Sequence, residues 1–170
     1  ITLGGLATTN NTGTAVSITT RSGGVLDGGD QAVDIVANLP LAVVTIDAVT
    51  GVGSANDLET TIANLDVDNA SGGDIDIDET DALRLLNVRQ ATAGNIRVIA
   101  DGTVTIDNGG AASTAVSAVA AGTITVNAEG AASSLLINDG VASASDRHRH
   151  ARRRHSDRCD GAGAVVDAFA

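Results

Sequence analysis

Three aspartates at alternate positions, Asp74, Asp76 and Asp78, are the residues of this chain best spaced for acid chemistry. Alternate side chains of an extended strand share a face, so Ile75 and Ile77 would enter a core while the three carboxylates line up outside, neighbours roughly 7 Å apart. An inverting glycosidase leaves a similar gap for its water, and a hard cation such as calcium could bridge the same oxygens. A solvated strand face accounts for the spacing equally well. In a repeat register Asp76 also falls beside Arg97, an opposite-charge pair of roughly 0.2 to 1 kcal/mol. The solvated face is the reading adopted: no catalytic, cofactor-binding or metal-binding residue is assigned, and calcium is expected to change stability little.

The second chemically loaded stretch is residues 146–160, which hold six of the ten arginines, all three histidines and the single cysteine. His148, His150, His155 and Cys159 could ligate a transition metal, and the basic run could hold an anion, but the spacing matches no tight metal motif. A shifted reading frame is the other explanation. With C at the wobble position, Arg, His and Asp codons read one base later give Thr, Val and Ala, the composition of the neighbouring segments. Arg152, Arg153 and Arg154 in sequence cannot alternate in and out without burying a charge, so this stretch is expected to be irregular, exposed and without a specific ligand.

Other chemistry lacks its parts. Ser22 and Ser54 have no base in their own segments, since every histidine lies between 148 and 155. The chain has no lysine for a phosphate loop, and neither Gly51-Val52-Gly53 nor Gly161-Ala162-Gly163 completes a dinucleotide fingerprint. The run from Gly23 to Asp30 is rich in Gly and Asp yet lacks the Gly-x-Gly-x-Asp order of calcium nonapeptides, and it reads as a plain turn. The expectation is a protein that is not an enzyme and carries no cofactor.

Charge narrows the partners. Residues 1–145 carry four Arg against 17 acids, a balance of −13, while residues 146–160 come to +3. An acidic body disfavours nucleic acid and anionic membranes. No run of 18 apolar residues suggests membrane insertion. A chain opening on Ile1 without a single Met reads as an interior piece of a longer reading frame.

The elements that would position these residues are short strands. There is no Trp, Tyr or Met, one Pro and 20 Gly, so any core must be small and aliphatic and the turns must be tight. Gly-x-Ile-x-(Ile/Val) recurs at Gly73–Ile77, Gly94–Val98 and Gly122–Val126, each followed by a second short strand: Leu83–Leu85, Val104–Ile106 and Leu135–Ile137. Looser alternation marks Val16–Thr19, Val33–Val36, Val43–Asp47 and Leu65–Asp68. Two strands per unit of roughly 20 to 30 residues, without a helical period, predict an all-β parallel β-helix, or β-solenoid, over residues 1–145. A repeat-like tail over 161–170 would follow the aberrant 146–160 segment. The alternative is an antiparallel β-sandwich, which does not require the strand pair to recur in one order behind a glycine. In the solenoid, Ile75, Ile96 and Ile124 would form one inward column and Ile77, Val98 and Val126 another.

The run Thr50-Gly51-Val52-Gly53-Ser54, then Leu58-Glu59-Thr60, Ala63-Asn64-Leu65 and Gly73-Asp74-Ile75-Asp76-Ile77, resembles the repeat region of very large bacterial exoproteins similar to filamentous haemagglutinin. The resemblance covers residues 1–145. It implies a right-handed parallel β-helix and a structural role as the stalk or adhesive fibre of a secreted, cell-surface bacterial adhesin. The partners it implies are neighbouring repeats of the parent chain and a host-cell or matrix receptor or glycan. It offers no catalytic residues. Two rival functions stay open, a carbohydrate-active β-helix and a calcium-stabilised secreted repeat.

Overall fold

The fold follows from the alternation. In each Gly-x-Ile-x-(Ile/Val) unit the β-branched positions share a face, and stacking one unit on the next buries that face. A computed structural model of the chain describes residues 1–111, 114–120 and 122–143 and contains no helix among them. Its strands fall into six successive coils. They are β1 (Leu6–Ala7) and β2 (Val16–Thr19); β3 (Ile35–Ala37) and β4 (Val43–Ala48); β5 (Leu58–Ile62) and β6 (Asn64–Asn69); β7 (Ile75–Glu79) and β8 (Leu83–Gln90); β9 (Ile96–Ala100), β10 (Val104–Ile106) and β11 (Val116–Ala118); and β12 (Ile124–Ala128), β13 (Leu135–Ile137) and β14 (Val141–Ser143).

Every pairing between them is parallel. One sheet runs β1-β3-β5-β7-β9-β12 and the other β2-β4-β6-β8-β10-β13, with β11 on the far half of β8 and β14 beside β11. Consecutive strands in the chain thus belong to different sheets, and each sheet grows by one strand per coil. This is a parallel β-solenoid, not an antiparallel sandwich. One hydrophobic cluster collects the inward residues of both sheets. The expected columns are present: Ile75 pairs with Ile96 and Ile96 with Ile124, while Ile77 pairs with Val98 and Val98 with Val126. All six side chains are fully buried.

The repeat glycine has a packing reason. A Cβ on Gly94 would collide with the carbonyl oxygen of Gly73, and one on Gly122 would collide with that of Gly94. The glycines mark a line along which backbones of successive coils lie in contact, and only hydrogen fits between them.

Two differences from the sequence reading matter. The strand expected at Val33–Val36 begins at Ile35, and Asp34 stands just ahead of it. The first sheet is also interrupted in the early coils. Val52 and Leu58 pair with Ile75 and Ile77, two positions apart on an unbroken β7, so residues 53–57 bulge out of coil three. Coil two has a longer excursion: Val25 pairs with Val52 and Leu26 with Thr2, but pairing to coil three resumes only at Ile35, opposite Thr60. The basic stretch 146–160 and the tail 161–170 lie outside the described residues, as do His148, His150, His155 and Cys159.

Candidate functional site

The acidic ladder lies where alternation puts it, with Ile75 and Ile77 inward and Asp74, Asp76 and Asp78 outward. Its members do not converge; two of them are tied to the next coil. Asp76 Oδ1 receives Arg97 Nη1 at 2.5 Å, and Arg97 also reaches Asp57 at 3.5 Å. Asp74 Oδ1 accepts the backbone N–H of Asn95 at 2.7 Å, and Asn95 Oδ1 in turn accepts the N–H and hydroxyl of Thr123 at 3.0 and 2.9 Å. Burial pushes the Asp76 carboxyl up even with Arg97 beside it, while Asp76 and Asp57 hold Arg97 charged against its own desolvation. The pair therefore offsets a burial cost more than it adds net stability.

The same vertical pairing continues on the second sheet. Arg89 Nη1 meets both oxygens of Asp68 at 2.9 and 3.0 Å, and Asn87 Nδ2 donates to Asp66 Oδ1 at 2.9 Å. Inside the stack the amides of Asn69 and Gln90 are buried and joined at 2.6 Å. Asn69 Oδ1 accepts the Gly51 N–H, and Gln90 Nε2 donates to the Ser71 carbonyl, so these amides satisfy backbone at the corner between the sheets.

Two features escaped the sequence reading. The first is Glu79, whose side chain is fully buried. Its Oε2 accepts the Thr60 hydroxyl at 2.7 Å and the Ile62 N–H at 3.0 Å. Desolvation raises its carboxyl to about 7 despite those hydrogen bonds. The parity of Ile75 and Ile77 already placed residue 79 inside.

The second is a group of three acids at the excursions of coils two and three. Asp27, Asp34 and Glu59 bring carboxylate oxygens within 4.8 Å of one another. Asp34 and Glu59 are neighbours on adjacent coils, with the Asp34 N–H donating to the Glu59 carbonyl at 2.8 Å. Asp27 is held in a turn, its Oδ2 accepting the Gly29 N–H at 2.7 Å and the Asn56 side-chain amide. The run Gly23–Asp30 is therefore not the plain turn expected: Val25 and Leu26 form β-bridges within it, with Val25 in the core, and Asp27 beyond them faces two acids that stand 7 and 32 residues further along the chain. Burial and then the Asp27 charge push Asp34 up, burial raises Glu59, and the Asn56 amide holds Asp27 down.

Comparison of the chain with protein-family models, curated proteins and solved structures finds no match.

Proposed function

We propose that this chain is a structural segment of a secreted bacterial surface adhesin, a stretch of stalk or adhesive fibre, with no catalytic role. One observation carries the reading: the outward polar side chains pair along the stack, coil to coil. Asp76 with Arg97, Asp68 with Arg89, Asp66 with Asn87, and Asp74 with Asn95 all join residues about one coil apart. Such side chains hold neighbouring coils in register and leave the outward faces of these strands with few groups converging on a substrate. A sugar-cleaving site would need two free carboxylates facing each other across a cleft, whereas Asp76 is engaged by an arginine, and in the Asp27, Asp34 and Glu59 group Asp34 is buried rather than open to a substrate. The described residues also include no aromatic side chain to seat a sugar ring.

The resemblance to filamentous haemagglutinin-like exoproteins adds the setting: export to the cell surface, and a receptor or glycan contacted by the fibre. Antibody raised against the purified chain tests it. Labelling of intact cells of the producing organism, or of its culture medium, is the expected result; labelling only after permeabilisation would overturn the surface assignment.

A further inference from the structure

We propose that Asp27, Asp34 and Glu59 form a calcium site that ties the excursion of the second coil to the third. Three independent observations meet there. The first is convergence, since carboxylate oxygens from the three residues lie within 4.8 Å of one another. The second is an unmet need. Asp34 is only 2% exposed and its Oδ2 has no hydrogen-bond donor, and Asp27 Oδ1 and Glu59 Oε2 are likewise buried and unpartnered. A buried carboxylate oxygen without a donor is costly, and three on carboxylates gathered in one place are costlier. The third is the lack of a protein counter-charge. The chain has no lysine, and among the described residues the ion pairs of Arg84, Arg89 and Arg97 all go to other acids, while Arg21 and the Ile1 ammonium, which donates to the Gly24 carbonyl, form no ion pair.

The donor set selects the ion. Carboxylate oxygens suit hard cations, and the three residues contain neither sulfur nor imidazole. Three carboxylate oxygens within 4.8 Å of one another can share one cation, and calcium's flexible, roughly 6- to 8-fold oxygen shell at about 2.3 to 2.6 Å accommodates an irregular carboxylate cluster more readily than the near-ideal octahedron at about 2.0 to 2.1 Å that magnesium demands. Water and nearby carbonyl groups would complete the shell, as calcium's flexible coordination allows.

The location gives the ion a task. The first sheet is split in coils two and three and unbroken in coil four, where β7 runs from Ile75 to Glu79. Asp27 and Asp34 lie at the two ends of the coil-two excursion, and Glu59 stands on β5 of the next coil. An ion held by all three replaces the ladder bonds the excursion lost. The site is separate from the Asp74, Asp76 and Asp78 face and does not depend on the surface role proposed above.

The test is thermal unfolding of the full chain in millimolar calcium against chelator at matched ionic strength, with calorimetric titration for stoichiometry. The expected result is a midpoint several degrees higher with calcium, one ion per chain, a much smaller effect of magnesium, and loss of the shift in Asp34→Asn and Glu59→Gln but not in Asp74→Asn. An equal shift in Asp34→Asn, or an equal effect of magnesium, would overturn the assignment. So would a midpoint unmoved by calcium whose climb from pH 7 to 5 persists in Glu79→Gln and is lost on adding Asp34→Asn, because a proton shared between Asp34 and Glu59 would then be what occupies the site.

Discussion

Glu79 accepts a hydrogen bond from Thr60 at 2.7 Å across neighbouring coils, from a position with no solvent exposure. An acid in the interior of an aliphatic stack makes the protonated form the comfortable one. Its carboxyl stands at about 7 in the folded chain against an ordinary 4.5. The folded state therefore holds its proton more tightly than the unfolded chain. The associated stability is fully present below about pH 4.5 and is lost as pH rises through about 7, on the order of 3 kcal/mol in all.

Glu79→Gln should remove most of that slope. Denaturant midpoints of the parent chain should fall between pH 5 and pH 8, and the variant's should change much less and exceed the parent's at pH 8. Parallel pH profiles for the two proteins would contradict the account of Glu79.

The glycine column predicts a cost from the smallest possible side chain. Gly94→Ala places a methyl group against the Gly73 carbonyl, where the neighbour is backbone and cannot rotate away, so a loss of about 2 kcal/mol or more is expected. Alanine at Gly13, where nothing lies within 4 Å, should leave the unfolding free energy within about 0.5 kcal/mol of the parent's. Ile96→Asp, at the centre of the inward column, should be the most damaging of the three, since its charge would meet only aliphatic neighbours.

Arg97 is a cation on an acidic face, shared by Asp57 and Asp76. Its side chain is 39% exposed, so screening limits its worth. Arg97→Ala should cost about 1 kcal/mol in low salt and distinctly less in 0.5 M sodium chloride. A salt-independent loss would mean that the stem of Arg97, rather than its charge, is what counts.

What was legible in the sequence is what repeats. Ile75, Ile96 and Ile124 announce themselves by a period-two pattern behind a recurring glycine, and once their register is fixed Asp76 must fall beside Arg97. Glu79 was legible in the same alternation, but an acid at an inward position is easily taken for the end of a strand. The Asp27, Asp34 and Glu59 group was not legible. Its members are brought together by two excursions of unequal length, and nothing local in the sequence says that residues 53–57 leave the sheet while residues 75–79 do not. The second partner of β8 was hidden for a related reason: β8 is long enough to carry β10 on its first half and β11 on its second, around an irregularity in its pairing with β6.

The central claim is the stacking of coils in one parallel register, and distances between spin labels test it most directly. Thr19, Asp47, Asp68, Arg89 and Ser117 are successive partners on the outer face of one sheet. In a Cys159→Ser background, a label at Ser117 paired in turn with one at Asp68, Asp47 or Thr19 spans two, three or four strand steps, or backbone separations of about 10, 14 and 19 Å. The account predicts pulsed electron-resonance distances that lengthen by about 5 Å at each step in that order. Distances that fail to grow with the number of coils, or that place Thr19 closer to Ser117 than Asp68 is, would contradict the solenoid.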